Sequence, residues 1–173
     1  MSPVAVMVGP PGAGKTTVGG LLAARLGVPF RDNDDDVEAT AGKTITEIFA
    51  DDGEPAFRAL ERAAVLRNLA EHDGVLGLGG GAVLAEQTRE ALRGHTVVFL
   101  CVGMPEGVRR TSLSTARPLL AGVNPRARYK AMLEARLPIY REVATIEVDT
   151  NTRNPDEVVD AIVTELTPSR AAR

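Results

Sequence analysis

The stretch "GPPGAGKTT", residues 9–17, follows the apolar run "VAVMV" (residues 4–8) and runs into the helical pattern "TVGGLLAARLG". Gly9, Gly14, Lys15 and Thr16 match the spacing G-x-x-x-x-G-K-[ST], and a strand before it with a helix after it is the setting in which that spacing binds phosphate. The motif therefore demands a buried strand, a tight turn and an open helix N-terminus in sequence. Its glycines let successive backbone N–H groups face phosphate oxygens, and the helix dipole adds to the attraction. Gly12, Ala13, Gly14, Lys15, Thr16 and Thr17 are thus the candidate phosphate-binding residues, with Lys15 reaching the terminal phosphates and the Thr16 hydroxyl able to ligate Mg²⁺. The alternative is a glycine-rich turn that only packs the helix closely. No Asn-Lys-x-Asp guanine reader occurs in the chain, which disfavours a GTPase.

Four further apolar runs follow, at residues 28–32, 74–79, 96–102 and 145–149. Five strands joined by helical patterns imply an α/β fold, with a mainly parallel sheet covered on both faces. Ligands of such sheets gather at the carboxyl ends of the strands. Gly27 reads as a helix stop, "TITE" (44–47) as a capping box, and Pro55 as first-turn residue of a helix that buries Phe57, Leu60 and Ala64. Residues 112–125 lack a period and have the character of a lid, while 168–173 have that of a disordered tail. At 173 residues and 44% hydrophobic composition, a single domain over residues 1–167 is expected. A net charge of -3 offers no basic field for nucleic acid or an anionic membrane. Cys101, the only cysteine, lies in "TVVFLCV" and reads as a buried structural residue. The N-terminus shows no basic leader and no span-length apolar run, so a cytoplasmic protein is expected.

"RDNDDD" (31–36) places four aspartates beside a polyanion site. Along an extended strand Asp32 and Asp34 would share one side and Asn33 the other. One carboxylate can then serve Mg²⁺ while the other accepts the proton of an attacking hydroxyl; for Asp34 an N-cap role is the alternative. Asp35 and Asp36 read as solvated residues opening the next helix. Asp149 also ends a strand, but one expected at the sheet edge, which leaves Asp32 as the candidate metal ligand.

"GPPGAGKTT", the Asp32-x-Asp34 pair, "FRALE", "LGGGAV", "ARPLL", "ARLPIYREVA" and "DTNTRNPDEVV" occur in this order, and together they resemble the shikimate kinase family over nearly the whole chain. The resemblance implies a nucleoside-monophosphate-kinase-like, three-layer α/β/α P-loop fold with five parallel strands in order 2-3-1-4-5 and a mobile lid. It also implies transfer of the γ-phosphate of ATP to the 3-hydroxyl of shikimate, with Mg²⁺ as cofactor; separately, a monomer is expected. The ligand of Gly12, Ala13, Gly14, Lys15, Thr16 and Thr17 would then be ATP, and Lys15, Thr16 and Asp32 would serve ATP and the metal. Asp34 would bind substrate hydroxyls and act as base, and Arg58 and Arg136 would hold the substrate carboxylate, which suits their planar forks. Taken alone, Arg58 fits a solvated helix face and Arg136 a snorkelling arginine equally well. Gly79, Gly80 and Gly81 would line the substrate, and Arg117 would close over the transferring phosphate. Arg110, Arg153 and Pro155 match positions flanking adenine, although a helix N-terminus explains "NP" as well.

Two other functions stay open at this point: a kinase for another polyol acid such as gluconate, and a silent nucleotide-binding regulator. The paired arginines with the triple glycine disfavour the first, and the presence of Asp34 and Arg117 the second. Pro10, Thr16, Ser114 and Thr115 depart from the usual family pattern, the last two within the lid segment.

Overall fold

The computed structural model describes residues 2–111 and 124–166. Five parallel strands, β1 (Ala5–Val8), β2 (Phe30–Asp32), β3 (Val75–Gly77), β4 (Val97–Cys101) and β5 (Ile146–Asp149), form one sheet in the order β2-β3-β1-β4-β5. All five expected strands are present, each within the predicted run. Alternate residues of β1 enter different cores: Ala5 and Met7 on one face, Val6 and Val8 on the other. β4 divides likewise, with Val98 and Leu100 opposite Val97 and Phe99. This two-sided burial explains why these strands read as unbroken apolar runs.

Eight α-helices surround the sheet among the described residues: α1 (Lys15–Leu26), α2 (Asn33–Ala41), α3 (Ile45–Asp51), α4 (Glu54–Glu71), α5 (Glu86–Leu92), α6 (Met104–Thr111), α7 (Pro125–Val143) and α8 (Pro155–Leu166). α1 and α8 cover one face through Val18, Leu22, Val158 and Ile162; α4 and α5 cover the other through Val65, Leu69 and Leu92. A smaller cluster of Val37, Ile48, Phe57 and Ala64 joins α2, α3 and α4 beside the sheet. Gly27 ends α1 in the left-handed conformation, and Thr44 with Glu47 forms the expected capping box. The segment expected as a lid lies outside the described residues except for its last two positions. There Asn124 N-caps α7, and Pro125 is already helical. The expected tail, 168–173, also lies outside them.

Two expectations need correction. Cys101 is half-exposed, not fully buried, and lies near Glu147 of the edge strand β5. Burial first, then the Glu147 and Asp149 charges, raise its thiol pKa, so it is a poor nucleophile at neutral pH. The second concerns the aspartates. β2 ends at Asp32, and Asn33, Asp34, Asp35 and Asp36 are the first turn of α2. Asp32 is the N-cap, its Oδ1 accepting from the Asp34 N–H at 3.0 Å. The capping bond defeats the extended conformation, because it satisfies a helix N–H that a strand would leave without this partner.

Candidate active site

The cradle is built from backbone. Gly12 and Gly14 have φ of 83° and 91°, a region closed to most other residues, and no side chain caps α1. Its first N–H groups therefore face the mouth of the loop, as anion binding requires. Lys15 donates to the carbonyls of Gly9 and Pro10 at 2.7 and 2.9 Å, which holds its ammonium over the same opening. Arg110 from α6 braces the loop from behind, donating to the Gly12 carbonyl at 2.9 Å and to the Thr150 carbonyl at 3.0 Å. Glu106 accepts from Arg110 and Arg109, whose hydrogen bonds, Arg109's first, bring its carboxyl down to about 2.

A cleft of about 530 Å³ opens beside the cradle, bordered by Ala13, Gly14, Thr17, Arg110, Arg153 and Pro155. Arg110, Arg153 and Pro155, the residues expected beside adenine, thus line one cleft with the cradle. Asn154 and Glu157 cap α8 reciprocally, at 2.9 and 3.0 Å, so helix capping also explains the "NP" pair. β5 is an edge strand as expected, and the Asp149 carboxylate bonds Asn151. The turn after it nonetheless returns to the cradle.

Facing this lies a wall made of side chains. The Thr16 hydroxyl donates to Asp32 Oδ2 at 3.1 Å, joining the cradle to the end of β2. Burial, and after it the neighbouring Asp34 charge, raise the Asp32 pKa. Asp34 points toward the turn after β3: a Cβ at Gly79 would lie 3.0 Å from Asp34 Oδ1 and 3.0 Å from Glu61 Oε2. A Cβ at Gly81 would lie 2.5 Å from both terminal nitrogens of Arg58, and one at Gly80 2.9 Å from Pro11 Cδ. The three glycines thus form a floor on which the Asp34, Glu61 and Arg58 side chains and the cradle itself converge. Only residues without side chains permit that approach.

Arg58 is turned inward. Its side chain is 17% exposed and its Nη1 donates to Glu61 Oε1 at 2.9 Å, with Glu61 itself 3% exposed. The solvated-face alternative for Arg58 is thereby excluded. Sequence reasoning misses Glu61, though its position three residues after Arg58, within the buried stripe of α4, is a usable signal. It misses Asn68 for the same reason. Asn68 donates to Asn33 Oδ1 at 3.0 Å and to Asp36 Oδ2 at 2.7 Å, and Asn33 is fully buried. Asp36 is correspondingly not a solvated residue: it accepts both forks of Arg31 at 2.8 and 2.7 Å, and Arg31 above all lowers its pKa. This network locks the first turn of α2 onto α4, and so fixes Asp34 relative to Arg58.

Arg136 is half-buried on α7 and makes no ion pair or hydrogen bond among the described residues. One turn later on the same face, the Tyr140 hydroxyl donates to the Gly80 carbonyl at 2.6 Å, which brings that face of α7 to the glycine floor. Arg117 lies outside the described residues.

Residues 11–167 match the family model described as shikimate kinase. A shikimate kinase from Saccharopolyspora erythraea is 68% identical over 172 residues, 99% of this chain and 98% of that protein. The solved structure of shikimate kinase from Acinetobacter baumannii in complex with shikimate superposes with a TM-score of 0.93 at 35% identity, covering 98% of this chain and 95% of that one. A gluconokinase from Sinorhizobium meliloti gives a TM-score of 0.59 at 23% identity, covering 99% of this chain and 94% of that one, and so shares the fold alone. With a family match over most of its length and relatives alike from end to end, the chain belongs to the shikimate kinase family.

Proposed function

We propose that this chain transfers the γ-phosphate of ATP to the 3-hydroxyl of shikimate, giving shikimate 3-phosphate and ADP in the aromatic amino acid pathway. Family membership supplies the activity, that of an ATP-dependent kinase acting on shikimate. One observation carries its assignment to this cleft: Gly80 abuts Pro11, so a small acceptor resting on the glycine floor meets the end of a triphosphate held in the cradle.

Arg58 and Arg136 hold the acceptor carboxylate, Asp34 holds its hydroxyls, and Gly79, Gly80 and Gly81 provide the close surface. Glu61 orients Arg58 by accepting one of its N–H groups. The γ-phosphorus forms a bond to the acceptor oxygen as its bond to the β,γ-bridging oxygen breaks; ADP leaves, and Asp34 accepts the hydroxyl proton. Loop N–H groups of Gly12, Ala13 and Gly14, together with Lys15, bear the charge of the phosphates, and Thr17, Arg110, Arg153 and Pro155 border the nucleoside. Arg117, outside the described residues, supplies positive charge to the transferring phosphate in this reading.

Thr16 and Asp32 suit Mg²⁺. The Thr16 hydroxyl and Asp32 Oδ2, 3.1 Å apart, are oxygen donors of the kind this ion takes and would hold it, Asp32 through water. When bound, the ion neutralises charge on the β- and γ-phosphates. Among the described residues no group of three or more His, Cys, Asp or Glu suits a metal, so water and substrate oxygens would complete the shell. The same reading has the protein act as a cytoplasmic monomer with one catalytic domain over residues 1–167.

ADP release from purified protein with ATP and Mg²⁺, with shikimate, quinate or gluconate as acceptor, tests the proposal. Turnover with shikimate is expected. Turnover with gluconate alone would reject it, and silence with all three would favour a regulator.

A further inference from the structure

α7 carries both tyrosines of the chain, Tyr129 and Tyr140, and each is essentially fully buried at 0% and 1% exposure. They enter different cores. Tyr129 packs with the α1 and α8 side of the sheet, and Tyr140 with the α4 and α5 side, where its ring stacks on Phe99 at 5.0 Å. Phenylalanine would serve that packing at either position, and each hydroxyl adds a hydrogen bond to a distant carbonyl. Tyr129 donates to the Pro11 carbonyl at 2.7 Å, and Tyr140 to the Gly80 carbonyl at 2.6 Å. Pro11 of the cradle and Gly80 of the glycine floor lie against each other.

One helix therefore grips both sides of the donor–acceptor junction, at points roughly 16 Å apart along its axis. Between them α7 holds Arg136, and Pro138 lies inside the same helix. Proline lacks the N–H that would bond the carbonyl of Glu134, so the turn bearing Arg136 is the compliant part of a helix anchored on either side. The two anchors add to the β1–β3 pairing from which the cradle and the floor both rise.

We propose that Tyr129 and Tyr140 are positioning residues for phosphoryl transfer, their hydroxyls setting the spacing between the phosphate cradle and the glycine floor. This rests on the function proposed above. Loss of a tether leaves packing in place but frees one wall, and displacements of about an ångström remote from the chemistry can cost up to about a hundredfold in rate.

Tyr129→Phe, Tyr140→Phe, the double variant and Phe99→Leu would be compared by steady-state kinetics, by titration with each substrate alone and by thermal melting. Tyr140→Phe is expected to raise the KM for shikimate and to leave ATP binding unchanged, and Tyr129→Phe to do the reverse. Each should lower kcat about tenfold, and the double variant no further than the worse single, because both act on one junction. Phe99→Leu loosens the same core without touching a hydroxyl and should lower the melting temperature while leaving both KM values unchanged. Singles with parental kcat and KM would overturn the proposal whatever their melting temperature, as would Phe99→Leu reproducing the Tyr140→Phe kinetics. Should one tyrosine variant not fold, the other single carries the test: a loss of kcat with the KM shift of its own wall is expected, and parental kcat and KM would overturn the proposal. Parent protein without shikimate turnover would instead contradict the functional assignment itself.

Discussion

The phosphate cradle is contiguous, residues 9–17, and offers its ligand mainly backbone N–H groups and one ammonium. The wall opposite draws Asp34 from α2, Arg58 and Glu61 from α4, three glycines from the turn after β3 and Arg136 from α7. The first surface is made of atoms every residue has, shaped by glycine dihedrals; the second is made of ionised side chains brought together by tertiary packing. The cradle consequently suits any polyphosphate, whereas the opposite wall suits a small acid bearing hydroxyls. Their charges differ as well, since Asp34 and Glu61 crowd the acceptor side. Substitutions on that side should thus change acceptor handling and stability with little effect on nucleotide binding.

The largest effect is expected from Asp34→Asn, which removes the proposed base. A drop in kcat of about 10²–10⁴ is expected, with ATP binding in a shikimate-free titration unchanged; near-normal turnover would take Asp34 out of that role. Glu61→Ala follows. It leaves Arg58 without its buried partner, a change worth about 3–5 kcal/mol of stability, measurable by urea denaturation. A loss below about 1 kcal/mol, the range of exposed pairs, would mean that the Arg58–Glu61 bond is not a structural prop of this wall.

The smallest effect has the opposite sign. The Asp32 pKa is raised by burial and by Asp34, so the folded chain holds that proton to higher pH than the unfolded chain. Stability therefore falls as pH rises from the unfolded value near about 3.9 through the raised folded value, and the deficit persists at neutral pH. Asp32→Asn keeps an N-cap and removes the charge. It should gain about 0.5–2 kcal/mol at pH 7, lose activity and lose the added stabilisation that Mg²⁺ with ADP gives the parent. A lower melting temperature than the parent at pH 7 would contradict this crowding.

The same contrast explains which parts of the molecule are legible in the sequence. The cradle's signal is local: a fixed spacing, a strand on one side and a helix on the other, so Gly9, Gly14, Lys15 and Thr16 stand out directly. Strand order needs the family resemblance, because apolar runs say which segments are buried and not which are neighbours. Asp32 and Asp34 are paired correctly by their spacing but on the wrong backbone, since alternation on a strand and a capped helix start both bring residues i and i+2 together. Glu61 and Asn68 stay hidden because a polar residue on a buried stripe is explained only by its partners, Arg58 in one case and Asn33 with Asp36 in the other. The Tyr129 and Tyr140 tethers are hidden likewise, each hydroxyl meeting a carbonyl far away in sequence.

Arg58→Ala, titrated calorimetrically with an ATP analogue and Mg²⁺ and, separately, with shikimate, tests the division between the two walls most directly. Charge-assisted contacts to a carboxylate lost here should weaken shikimate by about 10–100-fold and leave the nucleotide affinity at the parental value. Equal weakening of both ligands, or undiminished shikimate binding, would contradict it.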